Sequence, residues 1–169
     1  MDTEILFRAK MADDVEWVEG LPSYDIHGNV TEFDVYEGFG NCEVIEIDPD
    51  TICRYTGLNK DSIKIWQGSI CSWTDQAYGI CTGVVKFGEW QQDGSGGEYP
   101  GVICVGYYLE TLKVQAPAGH YMTDEEITEY YPDWARNYSL VSIVRATDDF
   151  EVIGNIFDNP ELLEMDVED

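Results

Sequence analysis

The chain has 169 residues, with 34 acidic and only 9 basic side chains, so its formal net charge at pH 7 is −25. This excess of acid disfavours direct binding to a nucleic acid backbone or to an anionic membrane surface, because both need clustered Lys and Arg. Hydrophobic residues make up 44% of the chain and aromatic residues 13%, which is enough apolar material for a folded core.

Alternating apolar and polar residues predict strands along most of the chain. The segment "EILFRAK" begins the first strand, and "WVEGLPSYDIHGNVTEFDVYE" predicts two strands around a turn at His27, Gly28 and Asn29. Asp48 before Pro49 predicts a brief helical turn, since Asp is a favourable N-cap and Pro a favourable first helical residue. Six further strands are predicted in "ICRYTGL", "IKIWQGSIC", "GICTGVVKFGEW", "GVICVGYYLE", "YSLVSIVRAT" and "DFEVIGNIF".

Helical signals are short and few. Thr123 and Glu126 form a capping box at the start of "DEEITEYY", which predicts one internal helix of about two turns. Near the end of the chain, Asn159 is a candidate N-cap and Pro160 a first helical residue, so "NPELLE" predicts a last helical turn.

Together these elements predict an all-β fold, mostly antiparallel, with minor short helices. We expect an N-terminal β region at residues 1–56 and a small barrel-like β region at residues 57–169 with a short C-terminal helix. Short strands at nearly regular spacing are typical of small antiparallel barrels and sandwiches.

The negative charge is concentrated at the two ends of the chain. Residues 1–57 carry 14 acidic and 3 basic side chains, residues 58–122 carry 6 and 4, and residues 123–169 carry 14 and 2. An acidic, solvated surface that keeps the protein in solution explains this pattern. The alternative is a surface that imitates the phosphates of DNA.

The opening segment, the length of the apolar runs and the cysteines indicate the compartment of the protein and the state of its thiols. The opening segment "MDTEILFRAKMADD" lacks the basic-then-apolar order of a secretory signal, and no run approaches the length of a membrane span. The five cysteines are odd in number and contain no CxxC pair. We therefore expect a soluble cytoplasmic protein with free thiols and no zinc site.

Several segments follow one another along the chain in a distinctive order: "ILFRAK", "WVEG" followed by "HGNV", "DPDTICRYTGL", "IWQGSIC", "GVVKFGEW" and "FEVIGNIFDNPELLE". In this order they resemble the YopX family of phage and prophage proteins. The resemblance covers nearly the whole chain. It implies a β-rich fold with a compact C-terminal barrel-like unit, encoded by mobile elements, and it supplies no catalytic residues.

This chain departs from the family pattern in one region. The strand "IWQGSIC" has Gln67 and Ser69 at positions where the family usually carries acids, which lowers the expectation of an enzyme. The turn "NKDS" lacks the glycine usual there, so we expect a longer or different turn between Leu58 and Ile63.

The sequence contains no recognisable catalytic or metal-binding motif. His27 and His120 stand far apart without metal-ligand spacing. The Gly-rich segment "DGSGGEYPG" lacks the Gly-Lys-Ser/Thr end of a phosphate loop and predicts a mobile hairpin loop. The acidic clusters lack the alternating ligands of an EF-hand. We expect no catalytic residues, no metal and no cofactor.

Aromatic residues in the nearly neutral middle of the chain are the remaining candidates for binding. Alternation in "IKIWQGSIC" places Lys64 and Trp66 on one strand face, and a Trp beside a Lys on a face that leans toward solvent can anchor a partner. The alternative is that these aromatics fill the core and its rim. The candidate binding residues are Lys64, Trp66, Trp73, Tyr78 and Trp90.

The sequence thus favours a non-catalytic phage or prophage accessory protein that acts by contact with another protein. The partner is unknown, and a homo-oligomer through the aromatic middle is possible. The first alternative is an acidic DNA mimic that inhibits a host nucleic-acid-binding protein, and a nuclease or hydrolase is the third hypothesis. A mimic needs carboxylates spaced like phosphates, an enzyme needs a concave site with perturbed titratable groups, and a binding module needs an exposed apolar patch.

Overall fold

The structure is a computed structural model that describes residues 5–37, 40–76, 78–94, 99–130 and 137–164. These residues form two antiparallel sheets with only a few short helices, which confirms the predicted all-β class. The chain divides into two compact units, residues 1–58 and residues 59–169. The division expected from the sequence lies after residue 56.

The first unit contains β1 (Phe7–Lys10), β2 (Trp17–Tyr24), β3 (Val30–Glu37), β4 (Asn41–Glu46), a 3-10 helix (Pro49–Thr51) and the start of β5 (Cys53–Lys60). These strands stand in the order β4-β3-β2-β1-β5 within a six-stranded antiparallel sheet. Ala9, Phe33 and Ile47 form the buried centre of this unit. Burying such apolar side chains is the main stabilising contribution in a sheet of this size.

Local side-chain contacts form two of the predicted turns. The Asp25 carboxylate accepts hydrogen bonds from the Asn29 side-chain amide at 3.0 Å and from the backbone N–H groups of Asn29 at 2.8 Å and His27 at 2.7 Å, and these bonds lower the pKa of Asp25. The predicted turn between β2 and β3 is therefore confirmed. Asp48 caps the 3-10 helix as predicted, because its Oδ1 accepts from the backbone N–H of Asp50 at 3.1 Å.

The second unit contains an antiparallel sheet in the order β10-β9-β8-β7-β11. Its elements are β6 (Ile63–Trp66), β7 (Ser69–Asp75), β8 (Gly79–Gly94), β9 (Tyr99–Gln115), α1 (Asp124–Tyr130), β10 (Asn137–Ser139), α2 (Leu140–Ala146), β11 (Glu151–Asn155) and a 3-10 helix (Pro160–Leu163). In the described residues β10 and β11 end the strand order and do not pair with each other. The sheet is open, so the barrel-like expectation for this region is not met.

Two of the six predicted strands have a different structure. The segment "IKIWQGSIC" was predicted as one strand, but the chain turns at Gln67 and Gly68 and forms β6 and β7. The segment "YSLVSIVRAT" was predicted as a strand, but only β10 is extended and α2 follows at once. The Oγ of Ser139 accepts from the backbone N–H of Ser142 at 3.4 Å, and Leu140 and Val144 are buried four residues apart on one helical face.

Of the longer or different turn expected before β6, the longer alternative was wrong. Asp61 and Ser62 alone connect β5 to β6, with φ of 49° and 69°, as a tight two-residue hairpin turn requires. The predicted loop at "DGSGGEYPG" falls partly on residues 95–98, which lie outside the described residues.

The capping box of α1 is confirmed, because Thr123 N–H donates to the Glu126 carboxylate at 2.9 Å and Glu126 N–H donates to Thr123 Oγ1 at 3.2 Å. The last helical turn forms as predicted, but Asn159 does not cap it by a side-chain hydrogen bond. Its Oδ1 instead accepts from the backbone N–H of Asn155 at 3.3 Å, which fixes the turn that precedes the helix.

Candidate binding surface

Strands β8 and β9 extend well beyond the strands beside them. Within the second unit, β7 pairs with β8 at residues 79–84, and β10 pairs with β9 at residues 108–110. Beyond these residues the described part of the chain supplies no third strand. Residues 86–94 and 99–107 therefore form a two-stranded extension, which we call the ribbon.

One face of the ribbon is apolar and exposed. Three cross-strand pairs lie on this face, which we call the ribbon face, because opposed side chains of an antiparallel pair point to the same side. The pairs are Phe87 with Tyr107, Glu89 with Val105, and Gln91 with Ile103. Phe87 is 49% exposed, Ile103 66% and Val105 75%.

Aromatic packing orders one end of the ribbon face. The rings of Phe87 and Tyr107 meet edge to face, with centroids 4.9 Å apart. Such a pair contributes about 0.5–1.5 kcal/mol beyond the burial of its area. Val105 lies next to this pair on the same face, across from Glu89. The ribbon face therefore presents an ordered apolar surface with one acidic group at its centre.

The opposite face of the ribbon is packed around Trp90, whereas Val102, further along that face, is 64% exposed. Trp90 is only 7% exposed, and its ring stacks on Tyr108 with centroids 6.0 Å apart and planes at 24°. The two side chains flank the paired glycines Gly88 and Gly106, so no side chain separates them along this face. This stacking stabilises the ribbon from its inner face and leaves the apolar outer face in water.

The candidate tryptophans predicted from the sequence lie in the core. Trp66 is 3% exposed and Trp73 is 2% exposed, and Trp90 is buried as described above. The Nζ of Lys64 lies 5.7 Å from the centroid of the Trp66 ring. Tyr78 is half-buried, and its backbone N–H donates to Asp75 Oδ1 at 3.3 Å.

The predicted solvent-leaning face of β6 was wrong. Ile65 and Trp66 are neighbours on opposite faces of β6, and both are buried, whereas Ile63 is 53% exposed. A strand that is buried on both faces at one end does not show the simple alternation on which the prediction rested. Contact of the five predicted residues with a partner stays a prediction, and the ribbon face offers a partner far more exposed surface.

Trp73 belongs to a buried aromatic and polar cluster of the second unit. Its ring meets Tyr138 edge to face at 5.8 Å, and the Tyr138 hydroxyl donates to Asp75 Oδ2 at 3.3 Å. Burial raises the pKa of Tyr138, and the nearby Asp75 charge raises it further. The hydroxyl thus stays protonated at neutral pH and serves as a hydrogen-bond donor between β7 and β10.

Acidic side chains of the first unit are interrupted by apolar ones. On one face of its sheet, Glu32 stands opposite Glu46, but the next pair along is Asp34 with Val44. Val44 is 56% exposed and Tyr36, further along the same face, is 66% exposed. The described carboxylates on this face therefore do not form an unbroken row like that of DNA phosphates.

The first unit also has an open groove of about 610 Å³ beside the loop between β1 and β2. Its polar lining includes Lys10, Asp13, Asp14 and Asp48. Across the described ranges of the chain, no group of three or more His, Cys, Asp or Glu side chains could hold a metal ion. Among the described helices none is long and apolar enough to cross a membrane.

None of the five cysteines, all of which lie in the described residues, forms a disulfide, and their environments differ. Cys42 is exposed and Cys104 is half-buried, whereas Cys53, Cys71 and Cys81 are buried. Burial raises the pKa of the Cys71 thiol far above its ordinary value, and it raises that of Cys53 despite the opposing charge of Arg8. Only the thiolate is nucleophilic, so the buried thiols are expected to be unreactive in the folded protein.

We therefore expect a thiol reagent such as 5,5′-dithiobis(2-nitrobenzoate) to modify Cys42 first at pH 8. The variant Cys42→Ser should lose the fast phase, and Cys71→Ser should keep it. The buried thiols should react at least about tenfold more slowly until the protein is unfolded, because they expose neither sulfur nor thiolate. Equal rates for all five thiols in the native protein would contradict the burial described above.

The two antiparallel sheets and the ribbon define an all-β protein with exposed apolar side chains on a strand extension. The family model described as YopX protein matches residues 6–164, which is nearly the whole chain. The chain therefore belongs to the YopX family, and the resemblance seen in its sequence is confirmed. Comparison with curated proteins found no match, and comparison with solved structures found none either.

The ribbon face could not be predicted from the pattern of the sequence, for a physical reason. In "GVVKFGEW" and "GVICVGYYLE" apolar residues stand on both faces of each strand, a pattern typical of strands buried on both sides. The usable signal was length, because these segments form strands of 16 and 17 residues, while the strands beside them have 7 and 3. The part of a strand that outruns its neighbours has no partner strand on its outer edge.

Proposed function

We propose that this YopX-family protein is a non-catalytic accessory protein of a phage or prophage that acts in the host cytoplasm by contact with another protein. The observation that supports this proposal is the exposed ribbon face, with Phe87, Ile103 and Val105 in water. Contiguous exposed apolar side chains are typical of protein interaction sites. Their burial would contribute roughly 25 cal/mol per Å².

The negative charge of the chain favours a partner that carries basic residues around its apolar contact residues. The chain carries a net charge of −25, and Glu89 lies at the centre of the ribbon face. A partner with Lys or Arg near its apolar contact residues would gain from both features, whereas an acidic partner would be repelled. The charge speeds association, and the apolar face provides affinity that salt does not screen.

The test is capture of partners from host lysate with the tagged protein and two matched variants. Val105→Asp places a charge at the centre of the ribbon face, and Val44→Asp places one at a similarly exposed position of the first unit. We expect the specific partner to stay bound when salt rises from about 0.1 to 1 M, where the Debye length falls to about 3 Å. Binding should fall at least about tenfold in Val105→Asp and stay unchanged in Val44→Asp, because interface centres hold most of the binding energy.

Two other results would overturn the proposal. Binding that ignores Val105→Asp means that the partner does not use the ribbon face. A partner that elutes steeply with salt and competes with duplex DNA makes DNA mimicry the better description. Light scattering of the purified protein would reveal a homo-oligomer, whose loss in Val105→Asp would make the partner a second copy of the chain.

A further inference from the structure

The ribbon has an open backbone edge as well as an apolar face. The backbone C=O of Val85 accepts a hydrogen bond from Gly68 N–H at 2.8 Å, so the polar groups of Val85 point away from β9. Backbone groups of every second residue in a strand point to the same edge. No register shift occurs between residues 85 and 91, so the N–H and C=O groups of Phe87, Glu89 and Gln91 point to this edge as well.

This edge lies beyond the reach of β7. β7 pairs with β8 only as far as Val84, and within the described ranges no other strand pairs with β8 on that side. Three N–H and three C=O groups therefore stand in a row that a further strand can use. An exposed row of this kind is a template for strand pairing, and natural edges are commonly protected by charge or Pro. Here the edge segment from Phe87 to Gln91 carries a single charge, on Glu89.

We propose that residues 87–91 of β8 bind an extended segment of a partner protein by strand addition, a mode that deepens, and rests on, the function proposed above. The added strand would place an apolar side chain beside Phe87 and a Lys or Arg beside Glu89, two residues apart on the ribbon face. Backbone hydrogen bonds give such a complex its affinity, and the alternate side chains give it specificity.

A second copy of this chain fits the edge poorly. Antiparallel pairing of two β8 edges about Glu89 would set the Glu89 carboxylates of both copies directly opposite each other, and like charges in that position are destabilising. Each copy would also bring a net charge of −25. A basic and apolar segment of another protein meets neither penalty, so we assign the edge to that partner class.

The test measures how fast the backbone amides of the full-length, ¹⁵N-labelled protein exchange with solvent. The probe is a dodecapeptide of Lys-Thr-Val-Thr repeats, and the control is the same peptide with Glu in place of Lys. Before addition, the amides of Phe87, Glu89 and Gln91 should exchange with solvent at least about tenfold faster than those of Gly88 and Trp90, whose partners lie on β9. The Lys peptide should slow the three fast amides by about tenfold or more, and the Glu peptide should not.

Proline variants distinguish the outer edge of β8 from the outer edge of β9. Glu89→Pro removes an N–H that points outward and spares the ladder to β9, a position at which edge strands tolerate Pro. Val105→Pro makes the same change on the outer edge of β9, opposite Glu89. We expect Glu89→Pro to abolish protection by the Lys peptide and Val105→Pro to leave it.

Absence of protection at the three amides, or equal protection in Glu89→Pro, overturns strand addition. If Val105→Asp still releases the partner captured from lysate, the proposed function stands and only the mode fails. If the peptide binds the edge but Val105→Asp releases nothing, the edge is real and the ribbon face is not the site of the captured partner.

Discussion

Replacing Gly79 by Ala is expected to destabilise the second unit far more than the same replacement at Gly119. Both glycines have positive φ, 111° and 93°, so any side chain costs conformational strain at either position. A Cβ atom on Gly79 would collide with the backbone oxygen of Gln115, whereas a Cβ on Gly119 would have no atom within 4 Å. Comparing the two variants therefore separates the cost of backbone strain from the cost of the steric clash with Gln115.

The collision cannot be relieved by a side-chain rotation, because the oxygen belongs to the backbone where β8 and β9 meet. Gly119→Ala should cost about 1 kcal/mol in the free energy of unfolding, the usual cost of a non-glycine residue at positive φ. Gly79→Ala should cost about 3 kcal/mol or more, because the hairpin ladder has to shift. Urea unfolding followed by far-ultraviolet circular dichroism measures both, and equal losses would contradict the close approach of Gln115.

The second large effect is expected for Trp73→Ala. Trp73 is 2% exposed, it packs edge to face on Tyr138, and its Cη2 would lie 3.0 Å from a Cβ at Gly83. Removing the indole leaves a cavity that the surrounding sheet cannot close, and such a change typically costs about 3–5 kcal/mol in the free energy of unfolding.

Phe87→Ala is the matched control for Trp73→Ala, since Phe87 also belongs to an edge-to-face aromatic pair but is 49% exposed. Its loss should cost about 1 kcal/mol or less, because much of its surface is already in water. Urea midpoints of the two variants should differ accordingly. A Phe87→Ala protein as unstable as Trp73→Ala would mean that the ribbon face is buried in solution, for instance by a second copy of the chain.

Most of the strand pattern could be predicted from the sequence, because the signals are local. The Asp25 to Asn29 turn, the Asp48 cap and the capping box of Thr123 and Glu126 each depend on residues only a few positions apart. β-Branched and aromatic residues with period two then indicate the strands between these turns. The all-β class followed from this pattern alone.

The errors occurred where neighbours in space, and not in sequence, decide the structure. "YSLVSIVRAT" is apolar enough for a strand, but the burial of Leu140 and Val144 on one helical face favours a helix there. Trp66 alternates with Ile65 as if one side chain were exposed, yet packing buries both. Local propensity is a weak term, and burial in the folded chain overrides it.

The candidate binding surface depends on tertiary structure in the same way. The sequence by itself determined the acidic charge, the strand-rich fold and the membership of the YopX family, since composition, periodicity and motif order are properties of the chain. Only the folded sheet decided that Trp66, Trp73 and Trp90 are buried and that the ribbon face is exposed. The ribbon that carries Phe87 and Val105 exists because β7 and β10 end before β8 and β9 do, and strand pairing over that distance is not encoded in any short segment.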